Sequence, residues 1–361
     1  MEQVGREGAG APGGEAAGTG AAAATAGPAA AAAVAQGRPT PDFFIVGHQK
    51  CGTTALYLML SAHPQIYMPE VKEPWYFARE LRARSAGGAG GSDGEGSHSR
   101  PNSLDQYLAL FADAPSGKLV GEASPQYIRS EKAAAEIAQL RPDAKIVAIL
   151  REPAAFLRSL HMQLVSTHIE SETDFRRAIE LEPARREGRQ IPRLSVSPQS
   201  LLYSDHVRYA HQLSRLHEAF PAEQVKVLIY EDYRRDNEGV VREVLEFLGA
   251  DPTIPVQPVE TKPLNAVRSV RLHRLRRAIR KAGLHPANRG PLVRGIDAVA
   301  PRRLRSEALS AAFRRVAYEQ PKPADEELAL QLRRRFKGEV EAASDYLGRD
   351  LVALWGYDRI S

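Results

Sequence analysis

Cysteine and long apolar runs are the scarcest features of this chain. Its 361 residues include one cysteine, Cys51, so no disulfide can form within the chain. This composition fits a reducing compartment and predicts a cytoplasmic location. The sequence contains no run of eighteen apolar residues, so we expect no membrane-spanning helix.

Aromatic residues are absent from the first forty positions, which are mostly Ala and Gly. Such a segment has too little apolar bulk to offset the entropy lost on ordering, so we predict a disordered tail over residues 1–40. A signal peptide is disfavoured because a basic start and a Leu-rich core are missing. We predict one domain over residues 41–361, with a flexible Gly/Ser-rich loop at 85–100 and a basic helical region at 268–305. The high content of Ala, Arg and Gly suggests a bacterial source.

The phosphate loop of nucleotide hydrolases is also missing, although one stretch comes close to it. Ile45–Leu56, IVGHQKCGTTAL, has two suitably spaced glycines followed by two threonines. Its lysine, Lys50, lies inside the loop and not directly before the hydroxyl residue. The stretch therefore keeps an anion cradle but not the lysine and magnesium ligand of GxxxxGK[ST].

Strand-like runs alternate with helical patterns along the rest of the chain. This alternation predicts an α/β fold with a central, mostly parallel sheet flanked by helices. Ligands of such sheets bind at the carboxyl ends of the strands, where the loop, Glu122 and Arg151 all fall. We predict strands at 42–46, 119–123, 145–150 and 225–231, helices from Thr53 and over 130–140 and 203–220, and two short amphipathic helices within 325–355.

Three further motifs follow the loop in a fixed order: Lys72–Phe77 (KEPWYF), Gly121–Tyr127 (GEASPQY) and Arg151–Ser159 (REPAAFLRS). The ordered set resembles the PAPS-dependent sulfotransferases, in particular the branch that includes the heparan sulfate N- and O-sulfotransferases and many bacterial enzymes. The resemblance covers roughly residues 41–357. It implies a P-loop-like fold and transfer of a sulfuryl group from PAPS to a hydroxyl, with an amine as the second choice. The acceptor would be a carbohydrate, a glycolipid or a secondary metabolite.

The resemblance also assigns the donor-binding residues. In that family the loop wraps the 5′-phosphosulfate, and its lysine, here Lys50, points at the oxygen that bridges phosphorus and sulfur. Negative charge grows on this oxygen as the sulfuryl group leaves, so an ammonium stabilises the transition state and no metal ion is needed. Arg151 and Ser159 match the pair that holds the 3′-phosphate, with Glu152 in place of the more common Asp. The expected donor-binding residues are Gln49, Lys50, Cys51, Gly52, Thr53, Thr54, Arg151, Ser159, Tyr203 and Arg268.

Two glutamates compete for the role of catalytic base. Glu73 matches the glutamate that takes the acceptor proton in the heparan sulfate branch, and we predict that Glu73 and Lys50 are the catalytic residues. Glu122 is the rival, at a strand end, in a motif where relatives often carry Glu-Lys and this chain has Ala123. His48 and His161 are predicted to be surface or packing residues, and Cys51 a small filler.

The basic region at 268–305 allows three interpretations: a solvated face, a contact with a membrane surface, or a docking site for an acidic acceptor. A nucleic-acid partner is not expected, because no aromatic platforms interleave with the charges. The alternatives to a sulfotransferase are a nucleotide-dependent kinase and a non-catalytic PAP- or glycan-binding protein. The missing GK[ST] disfavours the first, and the intact Lys50 and Glu73 disfavour the second.

Overall fold

A five-stranded sheet with the order β2-β3-β1-β4-β5 forms the centre of the molecule. All four of its strand pairings are parallel. A computed structural model describes residues 37–82, 100–192, 195, 197–256, 259, 266–267, 318–319, 323 and 325–360. The strands are β1 (Phe43–Gly47), β2 (Ile66–Tyr67), β3 (Leu119–Ala123), β4 (Lys145–Leu150) and β5 (Val225–Ile229), with a separate antiparallel pair β6 (Ala266–Val267) and β7 (Tyr318–Glu319).

Helices flank the sheet. In chain order they are α1 (Thr53–Ser61), α2 (Leu104–Leu108), α3 (Ala133–Leu140), α4 (Pro153–Ser166), α5 (Phe175–Glu180), α6 (Glu182–Arg186), α7 (Tyr209–Ala219), α8 (Tyr230–Arg235), α9 (Asn237–Leu248), α10 (Glu326–Leu347) and α11 (Leu351–Leu354). Short 3₁₀ helices cover Tyr76–Leu81, Ala109–Phe111, Pro125–Arg129, Pro198–Leu201, Tyr203–Val207 and Ala222–Gln224.

Strand β1 is the middle of the sheet and of the core. Every residue of this strand is buried, because β3 and β4 cover its two edges and helices cover the sheet. Its continuous apolar run is the pattern expected for a strand buried on both faces. One cluster of buried apolar side chains extends from Phe43 to Tyr357 and so includes the C-terminal helices. The sheet predicted from the sequence is confirmed.

Strands β3 and β4 have the predicted bounds, and α1 begins at Thr53 as predicted. The fourth predicted strand is shorter, since β5 ends at Ile229 and α8 starts at Tyr230. Two acidic residues in the first turn of α8 favour that helix start. The predicted helix over 130–140 begins later, at Ala133, and the Ser130 hydroxyl before it accepts a hydrogen bond from the Ala133 N–H at 2.9 Å.

Two further predictions of helix length were wrong. The helix expected over 203–220 is divided into a 3₁₀ turn and α7 by Arg208, which has non-helical backbone angles. The C-terminal pattern gives one long helix, α10, of 22 residues, and then the short α11. Asp325 caps the start of α10, and Gly348 ends it in the left-handed conformation.

The last residues assigned to the N-terminal tail make contacts with the domain. Arg38 forms an ion pair with Asp105 at 2.6 Å, and Thr40 is buried and accepts a hydrogen bond from Arg141. The rest of the predicted tail, the Gly/Ser-rich loop up to residue 99 and the basic region at 268–305 lie outside the described residues. Within the described part of the chain, the helices are too short or too polar to cross a membrane.

Candidate active site

The loop between β1 and α1 turns sharply through two glycines at its ends. Gly47 has φ 126°, and a Cβ there would lie 2.7 Å from the backbone nitrogen of Ile149 in β4. Gly52 has φ 90°, and a Cβ there would lie 2.9 Å from the ring of Tyr233. Only glycine fits at both places, so the loop is held tightly against β4 and α8.

Lys50 and Arg151 come together at this loop. The Nη1 of Arg151 donates a hydrogen bond to the carbonyl of Lys50 at 2.9 Å, and the Arg151 guanidinium lies 4.4 Å from the ring centre of Tyr230. Burial, and then the charge of Arg151, lower the pKa of the Lys50 ammonium. Neither side chain forms an ion pair with another residue in the described part of the chain. Two adjacent cations without a carboxylate partner make this a candidate site for an anion.

The start of α1 adds backbone donors to the two cations. Gly52 occupies the N-cap position without a side-chain cap, and the first turn contains no acidic residue. The unpaired N–H groups and the helix dipole therefore favour a negative charge at this end. Thr53 is buried and Thr54 is exposed, so the two hydroxyls face different surroundings. Arg151 also has a buried Nε without a partner among the described residues, as expected of a side chain shaped to hold a further acceptor.

Cys51 fills space beneath this cradle. It is completely buried, its thiol contacts the carbonyl of Gln49 at 3.7 Å, and burial raises the pKa of that thiol. A protonated, enclosed thiol is a poor nucleophile. The predicted role as a small filler fits this geometry. Gln49 itself is half-buried at the rim of the loop.

Glu73 lies at the carboxyl end of the neighbouring strand, β3. Its backbone N–H donates to the carbonyl of Ala123 at 3.0 Å. Lys72 forms an ion pair with the Glu73 carboxylate at 2.7 Å, and the indole N–H of Trp75 donates to the same carboxylate at 3.4 Å. The Glu73 side chain keeps 29% of its surface exposed, so a ligand can reach it.

Backbone strain is concentrated at these positions. Only five non-glycine residues in the described part of the chain have positive φ, and three of them are Lys50, Glu73 and Trp75, at 67°, 61° and 56°. Such residues carry a conformational cost and persist where the surrounding structure holds them. They cluster around two predicted catalytic side chains, which makes this edge of the sheet a candidate functional site.

Side chains and backbone of the segment after β3 hold the strained Glu73 segment. The Trp75 N–H donates to the Ser124 hydroxyl at 3.2 Å, and the Phe77 N–H donates to the Tyr127 hydroxyl at 3.5 Å. Arg82 holds the backbone carbonyl groups of the same segment, because its guanidinium donates to the carbonyls of Pro74 and Trp75. The sequence pattern gave no indication of these three supports.

Glu122 differs from Glu73 in its surroundings. It lies within β3, is completely buried, and accepts a hydrogen bond from the Tyr107 hydroxyl at 3.3 Å. Its second oxygen, Oε1, has no partner among the described residues. Burial raises the pKa of Glu122 to about 7, and the neighbouring hydroxyls and Lys72 partly oppose this shift. A carboxyl group of this kind keeps its proton more readily than an exposed one.

The remaining predicted donor residues differ in their placement. Ser159 is half-buried on α4, two turns after Arg151. Tyr203 is completely buried, and its hydroxyl bonds to His161 and to Glu170. It is therefore a packing residue in this structure, and no open surface reaches it. Arg268 lies outside the described residues.

His48 and His161 are both packing residues. His48 is buried, its Nε2 lies 2.8 Å from the Gln212 amide oxygen, and burial lowers the pKa of His48 to about 3. His161 is also buried, and burial lowers its pKa. Neither imidazole is exposed to a ligand.

Comparison with known proteins identifies the family of this chain. The sequence profile described as "Sulfotransferase family" matches residues 41–255, more than half of the chain. The chain belongs to this family. It is 30% identical over 223 residues to the human bifunctional heparan sulfate N-deacetylase/N-sulfotransferase 3, an alignment that covers 59% of this chain and 22% of that protein. It is 26% identical over 266 residues to the mouse carbohydrate sulfotransferase 15, covering 60% of this chain and 45% of that protein.

The fold is similar to that of a sulfotransferase from Alicyclobacillus acidocaldarius. The TM-score is 0.60 at 26% identity, and the match covers 88% of this chain and 99% of that one. The family predicted from the ordered motifs is therefore confirmed, as is the P-loop-like sheet. The chain spans less than half the length of the two curated relatives.

Proposed function

We propose that this sulfotransferase moves a sulfuryl group from PAPS to a hydroxyl group of a carbohydrate, a glycolipid or a secondary metabolite, with an amine as the second choice. The observation that carries the proposal is the pair of adjacent cations, Lys50 and Arg151, beside an uncapped helix start. No acidic side chain of the described residues neutralises them. The cytoplasmic location and the bacterial source stay predictions from composition.

Each element of the cradle has a separate task in this proposal. The loop N–H groups and the start of α1 bind the 5′ end of the donor, and Lys50 stabilises the charge that develops on the bridging oxygen. Arg151 and Ser159 bind the 3′-phosphate. Gly52 and Thr53 keep the loop packed against the rest of the domain, and Thr54 is exposed at the surface of the loop. Arg268 is proposed to cover the same phosphate, and Tyr203 to support the wall of the site from inside the core.

Glu73 is the proposed base. Its carboxylate is accessible and is held by Lys72 and Trp75, whereas the carboxyl group of Glu122 is enclosed. A base must reach the acceptor proton within hydrogen-bond distance, and burial denies this to Glu122 in the present structure. Transfer in line between donor and acceptor then depends mainly on positioning and on charge stabilisation.

Binding of the spent donor tests the donor assignment. We expect PAP to bind about tenfold or more tightly than AMP, because Arg151 gives the 3′-phosphate a planar pair of donors. Arg151→Lys keeps the charge but loses that geometry, so most of the preference for PAP should disappear while AMP affinity stays similar. Calorimetry with both nucleotides measures this. Equal affinities of the wild-type chain for PAP and AMP would refute the assignment.

Product analysis tests the reaction and the metal prediction together. Incubation with PAPS and a metabolite extract should give sulfated products, and their mass spectra identify the acceptor class. The described residues contain no cluster of acidic, His or Cys side chains suited to a metal ion, and the absence of a metal requirement stays a prediction. Turnover that EDTA abolishes and magnesium restores would favour the kinase alternative.

A further inference from the structure

Two glutamates lie next to residues of the donor cradle in sequence, yet neither forms an ion pair with Arg151 in the described part of the chain. Glu152 follows Arg151 in the chain. Glu231 follows Tyr230, and the Arg151 guanidinium lies over the Tyr230 ring. A carboxylate within reach of a guanidinium can form a strong, often bidentate, ion pair with it. Here Arg151 forms none with a described residue, and its Nε is buried without a partner.

Both carboxylates are instead occupied by other donors. Glu231 accepts the indole N–H of Trp355 at 2.9 Å and the backbone N–H of Glu152 at 3.3 Å. Glu152 accepts the hydroxyl of Tyr357 at 3.0 Å and the Nε of Arg333 at 3.3 Å. Glu152 also caps α4 through the N–H groups of the second and third residues of that helix.

The donors come from the far end of the chain. Trp355 and Tyr357 follow α11, and they are 124 and 205 residues away in sequence from the glutamates that they bind. Both rings are buried. The Trp355 ring also meets the ring of Tyr209 edge to face at 6.3 Å, and the Tyr209 hydroxyl donates to the backbone carbonyl of Arg151 at 2.7 Å. The C-terminal segment is thus linked to Arg151 indirectly in two ways, through its acidic neighbours and through Tyr209, which bonds to its backbone.

We propose that Trp355 and Tyr357 are positioning residues of the donor site, which occupy the Glu231 and Glu152 carboxylates and so keep the Arg151 guanidinium free to bind a phosphate. The proposal rests on the proposed function, in which Arg151 reads the 3′-phosphate of the donor. A carboxylate without its neutral donor would pair with the guanidinium and compete with the phosphate for the same N–H groups. The indole and phenol groups donate to these carboxylates without adding charge to the site, and Arg333 is the one charged donor, at Glu152, among the contacts named above.

The contacts of Trp355 with Glu231 and of Tyr357 with Glu152 should differ in their effect on PAP affinity. Glu231 has two donors and loses half of them in Trp355→Phe, a change that keeps an aromatic ring in place. Glu152 keeps three of its four donors in Tyr357→Phe, which removes one hydroxyl only. Tyr357→Phe is therefore the matched control for the larger effect of Trp355→Phe.

The experiment measures the affinities of PAP and AMP for the full-length chain by calorimetry. We expect Trp355→Phe to weaken PAP about tenfold, the change expected when one charge-assisted contact is lost, and to leave AMP within about twofold. Tyr357→Phe should weaken PAP by less. Adding Glu231→Gln to Trp355→Phe should restore PAP affinity, because the amide keeps the bond to the Glu152 N–H and no longer attracts Arg151.

The outcomes separate this proposal from the proposed function. If the wild-type chain binds PAP no more tightly than AMP, the role of Arg151 is refuted and the positioning role with it. If the wild type prefers PAP and Trp355→Phe keeps that preference, the positioning role alone is overturned. A loss of PAP affinity that Glu231→Gln does not reverse would mean that Trp355 acts through packing, which also overturns the proposal.

Discussion

Glu73 and Glu122 lie at the same end of β3 but in opposite environments. The Glu73 carboxylate is partly exposed and bonded to Lys72, while Glu122 is completely buried, with one oxygen that has no partner among the described residues and a pKa raised to about 7. The backbone of Glu73 bonds to Ala123, the residue directly after Glu122. The comparison shows that access to solvent and to partners, and not position at the sheet edge, distinguishes a candidate base from a structural acid.

The largest expected effect is on turnover. Glu73→Gln keeps the shape of the side chain but removes the proton acceptor, so the rate should fall by about 10²–10⁴-fold, the range of general-base catalysis. PAP affinity should be retained, since the donor cradle is built by other residues. Steady-state kinetics with an identified acceptor, together with calorimetry, measure both quantities.

Glu122→Gln is the matched control for that experiment. It makes the same change in chemistry at the same end of β3, where the carboxyl group is enclosed. Turnover within about tenfold of the wild type is expected, because general-base catalysis would require a larger loss. An inactive Glu122→Gln beside an active Glu73→Gln would reverse the assignment of the base.

The second effect is on stability and its pH dependence. The folded state keeps the Glu122 proton up to about pH 7, whereas the unfolded chain releases it near the usual pKa of 4.5, so folding binds a proton between these values. The contribution of Glu122 to the free energy of unfolding should therefore fall by about 3 kcal/mol as the pH rises from 4.5 to 7. In Glu122→Gln this contribution should vanish, so the variant gains stability relative to the wild type above pH 7. Urea unfolding at several pH values measures the difference. An identical pH dependence in both chains would show that Glu122 is charged at neutral pH.

The smallest effect concerns the support of the Glu73 segment. Ser124→Ala removes the acceptor of the Trp75 N–H, so the strained backbone should relax and move the Glu73 carboxylate. We expect turnover to fall about tenfold, with KM for PAPS unchanged, because a small misplacement of a catalytic group is enough to slow the reaction.

Ser130→Ala is the comparison variant for Ser124→Ala. It also removes a buried hydroxyl, one that accepts from the Ala133 N–H at the start of α3 and touches the Glu73 segment only further along, at the Phe77 carbonyl. Reduced thermal stability without a change in turnover is expected for Ser130→Ala. If both variants lose stability alone and turn over normally, Ser124 does not position Glu73.

Local patterns were sufficient for β3, β4, the loop and the start of α1. β3 and β4 are short apolar runs, and the loop depends on two glycines whose φ values few other residues tolerate, so neighbouring residues decide these elements. Periodicity failed at Arg208 and at the start of α8, where it cannot detect a change of backbone angle. It also underestimated α10, whose length depends on caps at both ends.

By itself the sequence determined which side chains stand at the strand ends, namely Lys50, Glu73, Glu122 and Arg151, because the order of strands and loops is written along the chain. Only the tertiary structure decided which of the two glutamates is enclosed. Burial depends on residues outside the motifs of both glutamates, such as Tyr107, which bonds to Glu122. It also decided that Trp355 and Tyr357 bind the acidic neighbours of Arg151. Contacts across 124 and 205 residues have no local pattern, since packing of the C-terminal helices against the sheet creates them.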